Sequence, residues 1–209
     1  DTLDGKEGND ILEIQTGVAI GGNPVLKSIE TVNVKSATSV TLDGSNWEGT
    51  NTLNVTQATA ATLTAAATTD VNVSGITINN GNISVKGGKN IVINDTKAGG
   101  DITIGNGVAG GDATGTITIT DTNNAVGANG NDIVVEGGTD VTVVATSKLT
   151  TGNITIGDTA NDMATGNVSV TQNLTTVDAA ALDNSSKDIK VNGGKTVTVT
   201  SNATTTNAA

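Results

Sequence analysis

The stretch Ile83-Ser84-Val85-Lys86-Gly87-Gly88-Lys89-Asn90-Ile91-Val92-Ile93 decides how the chain is read. It is a short apolar/polar/apolar strand, a polar residue, Gly-Gly, two more polar residues and a second such strand. The same form returns as Ile133-Val134-Val135-Glu136-Gly137-Gly138-Thr139-Asp140-Val141-Thr142-Val143. It returns again as Ile189-Lys190-Val191-Asn192-Gly193-Gly194-Lys195-Thr196-Val197-Thr198-Val199. The offsets are 50 residues (83 to 133) and 56 residues (133 to 189). Further matches follow the first two copies in the same order: Asp101-Ile102-Thr103-Ile104-Gly105 answers Asn153-Ile154-Thr155-Ile156-Gly157, and Ala113 to Thr120 answers Ala164 to Thr171. Ordered blocks at such a period mark an internal repeat, the signature of a solenoid, propeller or array.

Working outward, the same short strands appear upstream without the Gly pair. They are Val32-Asn33-Val34, Val40-Thr41-Leu42, Leu53-Asn54-Val55, Ala61-Thr62-Leu63, Val71-Asn72-Val73 and Ile76-Thr77-Ile78. Alternation at period two puts the apolar residues on one face. Short strands bounded by Gly, Asn, Asp and Ser turns imply an all-β chain. Two architectures compete. In a parallel β-helix (β-solenoid) of short strands, right-handed by the usual rule for parallel crossovers, each strand stacks on its equivalent in the next coil about 4.8 Å away. In an antiparallel sandwich, Gly87-Gly88 and its equivalents would be hairpin turns. An eight-residue strand step, recurring as 32 to 40, 53 to 61, 83 to 91 and 133 to 141, favours the β-helix with coils of about 20 residues. Asn and Thr at corresponding positions then form ladders.

Composition agrees. There is no Phe or Tyr and only one Trp, so the core is built from Val, Ile, Leu, Ala and Thr. Stacked coils tolerate this, because each buries a little and the stack repeats the gain. Twenty-one acidic residues face ten basic ones, all Lys, for a net charge of -11. Such a chain does not suit nucleic acid, whose phosphates need cations. No segment is long and apolar enough for a membrane-spanning helix. The absence of Cys removes any disulfide framework. The third copy breaks off near Thr200 to Asn207, so the chain reads as a piece of a longer protein. Trp47, in Asp43-Gly44-Ser45-Asn46-Trp47-Glu48-Gly49, is expected to cover an apolar patch or mark a contact. Val177 to Asn184 has the composition of one helical turn in a corner insertion.

Two constellations carry candidate chemistry. Gly5-Lys6-Glu7-Gly8-Asn9-Asp10-Ile11-Leu12-Glu13 follows the calcium-binding nonapeptide, with Lys6 in place of the second glycine. Calcium is a hard cation ligated by oxygen. Glycines let such a turn aim its carbonyls inward, and the Asp supplies charge. The candidate ligands are Gly5, Glu7 and Asp10. A second match, Gly127-Ala128-Asn129-Gly130-Asn131-Asp132, offers Gly127, Asn129 and Asp132. The competing reading of both is a plain Gly/Asn/Asp turn before a strand. Catalysis has little to work with, since Cys, His, Tyr and Arg are absent and the carboxylates are scattered at turns.

The opening Leu3 to Leu12 resembles the RTX repeats of Gram-negative proteins secreted by type I systems. Ser28-Ile29-Glu30-Thr31-Val32-Asn33-Val34 and Thr52-Leu53-Asn54-Val55 are similar in style to the S-layer proteins and large adhesins of that group, most of all the Caulobacter and Campylobacter type of S-layer protein. The resemblance implies a calcium-dependent β-solenoid at the bacterial cell surface, extracellular and assembled with itself. Residues 1–30 would be the RTX-like calcium-binding segment and lead-in, and 31–209 the β-solenoid repeat region. The expected function is that of a structural, non-catalytic S-layer or fibre component, with cell-surface polysaccharide as a further partner. The alternative is the stalk or binding module of a large RTX adhesin. A β-helix carbohydrate-active enzyme is a third reading.

Overall fold

The computed structural model describes residues 2–19, 21, 24–97, 100–105, 111–123, 132–148, 152–157, 162–176 and 188–205. Period-two alternation gives short strands throughout. They are β1 (Thr2–Asp4), β2 (Ile11–Thr16), β3 (Val25–Lys27), β4 (Thr31–Ser36), β5 (Val40–Gly44), β6 (Thr52–Gln57), β7 (Ala61–Ala65), β8 (Asp70–Ser74) and β9 (Ile83–Gly87). Then come β10 (Ile91–Asp95), β11 (Ile102–Ile104), β12 (Ile117–Asn123), β13 (Ile133–Val135), β14 (Val141–Lys148), β15 (Ile154–Ile156), β16 (Asn167–Thr176), β17 (Ile189–Val191) and β18 (Thr196–Thr205).

Consecutive strands do not pair. A nine-stranded sheet takes the even-numbered strands from β2 to β18 in order, and a seven-stranded sheet takes the odd-numbered strands from β5 to β17. Every pairing is parallel. The chain therefore alternates between two sheets and climbs one rung per circuit: a parallel β-solenoid. In the nine-stranded sheet register neighbours lie from 18 residues apart in the first half to 29 at the end, so the later coils are longer. Ile83 pairs with Ile102, which pairs with Ile133. The 50-residue sequence repeat thus spans two coils, one closed by Gly-Gly and one by a longer corner.

The core is a thin slab between the sheets. Ile14, Val34, Val55, Val73, Ile93, Ile119, Val143, Val170 and Val199 form one inward row of the nine-stranded sheet. Val34 to Val170 are buried in that row, whereas Val199 on the last rung is 47% exposed. Ile83, Ile102, Ile133 and Ile154 form the facing row of the other sheet and are buried. Each such side chain contributes about 1.5–3 kcal/mol by leaving water.

Gly-Gly corners do not close hairpins. Gly88 N–H donates to Ala65 O and Lys89 N–H to Thr69 O, both one coil earlier. In turn Thr114 N–H donates to Gly88 O and Gly115 N–H to Lys89 O. The antiparallel alternative is excluded at these corners by the direction of those bonds. Asn side chains stack as expected: Asn54 Nδ2 donates to Asn33 Oδ1 at 2.7 Å, and Asn72 Nδ2 to Asn54 Oδ1 at 2.8 Å.

Some local expectations change. Ile76 makes only an isolated bridge to Ala58, and Ile78 is 48% exposed, so Ile76-Thr77-Ile78 is not a strand. Trp47 is buried, and its indole N–H donates to Pro24 O at 2.9 Å. It covers the third, short side made by β1, β3 and the Lys27–Glu48 bridge. The corner at Val177 to Asn184 lies outside the described residues.

Candidate functional site: the N-terminal glycine–aspartate turn

The turn between β1 and β2 is set by its glycines and by Lys6. Lys6 adopts φ 71°, so it takes the left-handed conformation that glycine favours at this place in the motif. Its N–H donates to Asp4 Oδ1 at 3.0 Å, and its ammonium lies 2.7 Å from Asp4 Oδ2. The hydrogen bonds from Lys6 hold the Asp4 carboxyl below its ordinary pKa. Gly5 admits no side chain: a Cβ there would lie 2.0 Å from Ser28 O and 2.8 Å from Asp10 Oδ2.

Asp10 sits at the start of the first rung. Its N–H donates to Glu30 Oε2 at 2.6 Å, and its carbonyl accepts from the N–H groups of Glu30 and Thr31 on the next coil. Its Oδ2 is buried and has no hydrogen-bond partner. A buried carboxylate oxygen without a donor is costly unless a cation or proton completes it. Asp10 and the glycine cradle therefore fit a hard cation. Glu7 is exposed, and no group of three or more acidic side chains converges on a metal-sized space among the described residues. Calcium at this turn would rest on Asp10 and backbone carbonyls, with Glu7 at the rim.

The second sequence match behaves differently. Gly127 and Asn129 lie outside the described residues. Asp132 is exposed, and its Oδ1 accepts from Asn153 N–H at 2.8 Å. Its own N–H donates to Asp101 Oδ1 at 3.0 Å. The side chains of Asn82, Asp101, Asp132 and Asn153 form this pattern, each accepting the backbone N–H of its equivalent on the next coil, the last from Asp188. Asp132 thus has a structural task of its own as a rung-to-rung cap.

A cavity of about 600 Å³ lies at the ends of β2, β4 and β6. It is lined by Gln15, Thr16, Gly17, Lys35, Ser36, Ala37 and Gln57, a set without a carboxylate. A general acid–base pair is therefore not found in it.

Sequence reasoning missed a polar row inside the core. Asp95 and Asp121 are register partners on adjacent rungs, and both are buried. They hold inward positions, where the period-two pattern alone gives no warning. Burial pushes the Asp95 carboxyl above its ordinary pKa, opposed by backbone N–H bonds from Lys97 and Thr96. A raised folded-state pKa means that the folded state binds the proton more tightly. The penalty is absent below the unfolded value of 3.8, grows as pH rises from there to the folded value, and stays constant above it. Asp95→Asn keeps the oxygen that accepts from Lys97 and removes the charge. It should raise the urea midpoint at pH 7 and leave it unchanged at pH 3. An unchanged midpoint at both pH values would show that Asp95 carries no buried-charge penalty.

Among the described residues no helix is long and apolar enough to cross a membrane. No family model, no curated protein and no solved structure matches the chain.

Proposed function

We propose that this chain is a structural, non-catalytic component of an extracellular bacterial surface assembly, an S-layer or fibre of the RTX type, stabilised by calcium. The observation that carries the reading is the stack itself. Nine register-matched rungs in one sheet and seven in the other form a repetitive scaffold, and stiffness is the property such stacking supplies. The outer face of β12, β14, β16 and β18 supports self-association. Its outward positions include Thr118, Thr120, Thr142, Ser169, Thr171, Thr198 and Thr200, with no charge among them. In a chain of net charge -11, copies repel least where no charge lies. Polysaccharide is the less favoured partner, because the single aromatic side chain that could stack on a sugar is buried.

Calcium at Asp10 pins the first rung. Calcium at 100 times its dissociation constant should then raise Tm by about 5–10 °C. Asp10→Asn should lose that gain while keeping its calcium-free Tm. Light scattering in the same titration tests assembly: the parent should grow into large particles with calcium, and the variant should need at least about tenfold more. Monomers at every calcium concentration would refute the assembly reading. An equal calcium response in Asp10→Asn would move the ion elsewhere.

A further inference from the structure

The polar row of the core contains a gap. Asp121, Ala145 and Gln172 are register neighbours on β12, β14 and β16. The methyl of Ala145 is much shorter than the side chains above and below it. The space left is a cavity of about 10 Å³, lined by Asp121, Ala145, Ser147, Gln172, Gly152, Ile133 and Ile154. Gln172 is 4% exposed and Ser147 6%. Gln172 Nε2 and Ser147 Oγ are both buried and have no hydrogen-bond partner. Native interiors seldom leave such groups unpaired, and a polar space of this size is about the smallest that admits one water.

We infer that this cavity holds one buried water molecule, which accepts a hydrogen bond from Gln172 Nε2 and is also bonded to Ser147 Oγ and the Asp121 carboxylate. The side-chain chemistry selects water. An amide N–H needs an acceptor, which a bare cation is not. An anion would be repelled by the Asp121 carboxylate that lines the cavity. A hydroxyl takes either role. Water satisfies both the amide and the hydroxyl. It ties three successive rungs of the nine-stranded sheet together at the point where the apolar rows end.

A double-mutant cycle and a crystal structure at high resolution test the inference. Ser147→Ala and Gln172→Met each remove one partner and leave the water under-bonded. Each single variant should lower Tm by about 2–4 °C, and the double variant should lose less than the sum, because the water and both its side-chain partners leave together. Density should show one solvent peak at about 2.7–3.2 Å from Ser147 Oγ and Gln172 Nε2. Singles that leave Tm unchanged or raise it, with additive effects, would mean a dry cavity and overturn the proposal. A peak with shorter contacts of about 2.3–2.6 Å, together with a Gln172→Glu variant more stable than the parent, would mean a cation and overturn it equally.

Discussion

Replacing Ile119 with alanine should lower stability by about 2–5 kcal/mol, read as the shift in the urea midpoint at constant slope. Ile119 is fully buried in the middle of its row, with Ile93 on one side and Val143 on the other. The chain has no Phe or Tyr to reach across the slab, so the space left by a missing side chain cannot be filled by a neighbour's rearrangement. The rungs are also coupled. Each coil contacts chiefly the one above and the one below, so a weak rung weakens both of its interfaces. Thr118→Ala, one residue away but on the outer face, should change the midpoint by no more than about 0.5 kcal/mol. Equal effects at the two positions would contradict the assignment of inner and outer faces.

Gly87→Ala should be nearly as damaging, for a different reason. Gly87 has φ 69°, and the left-handed conformation alone costs a residue with a Cβ about 1–2 kcal/mol. The added Cβ would also lie 2.3 Å from Ala65 O, a backbone atom of the previous coil. That atom belongs to the corner ladder, where it accepts from Gly88 N–H, and it cannot move without breaking that bond. The expected loss exceeds 2 kcal/mol, roughly the upper end of the conformational term. Gly17→Ala is the control. Nothing lies within 4 Å of its Cβ position, and the substitution should be neutral or stabilising by about 0.4–1 kcal/mol through the unfolded state. Thermal or urea denaturation of the pair decides the point. A Gly87→Ala protein as stable as the parent would mean that the corner is not packed rung on rung.

Gly87 and Gly88 also show how far the sequence could be read. Both have positive φ, which is what a two-residue hairpin turn requires too. Local chemistry therefore cannot distinguish a corner from a hairpin. The direction of hydrogen bonding distinguishes them, and that depends on Ala65 and Thr69, a coil away. The strand step of eight residues and the repeated polar positions carried the right answer because they record stacking, which is a tertiary property. Ile76-Thr77-Ile78 carried a wrong one: its alternation is that of a strand, but it meets the neighbouring coil only through an isolated bridge at Ala58, with Ile76 as the bridge partner and Thr77 bonded to Ala58 O. The short third side under Trp47 was invisible for a related reason, since Thr2–Asp4 and Val25–Lys27 are brief strands defined mainly by each other.

The candidate calcium turn was legible in part. The motif named Gly5, Glu7 and Asp10, and Asp10 is the one with a buried, unpartnered carboxylate oxygen. Lys6 looked like a departure from the motif, yet it holds a glycine-like conformation and turns its ammonium to Asp4. At Asp132 the same letters serve the N–H of the next rung. Burial and register separate the two cases, and neither is written in a nine-residue motif. The inward polar row of Asp95, Asp121 and Gln172 lay beyond sequence reading altogether, because polar residues at the end of an alternating strand look like the start of a turn.

Cysteine pairing tests the stacked solenoid most directly, and the chain has no native Cys to interfere. Thr103 and Val134 are register partners on adjacent rungs, at the spacing of about 4.7–4.9 Å between neighbouring strands, within the Cα range of about 4.4–6.8 Å that a disulfide spans. Thr103 and Thr118 are on consecutive strands in sequence but in different sheets. The Thr103→Cys/Val134→Cys protein should form an intramolecular disulfide under mild oxidation, quantified by free-thiol titration, and the Thr103→Cys/Thr118→Cys protein should keep its thiols. Free thiols in the first, with a bridge in the second, would contradict the parallel stack and with it the scaffold function built on it.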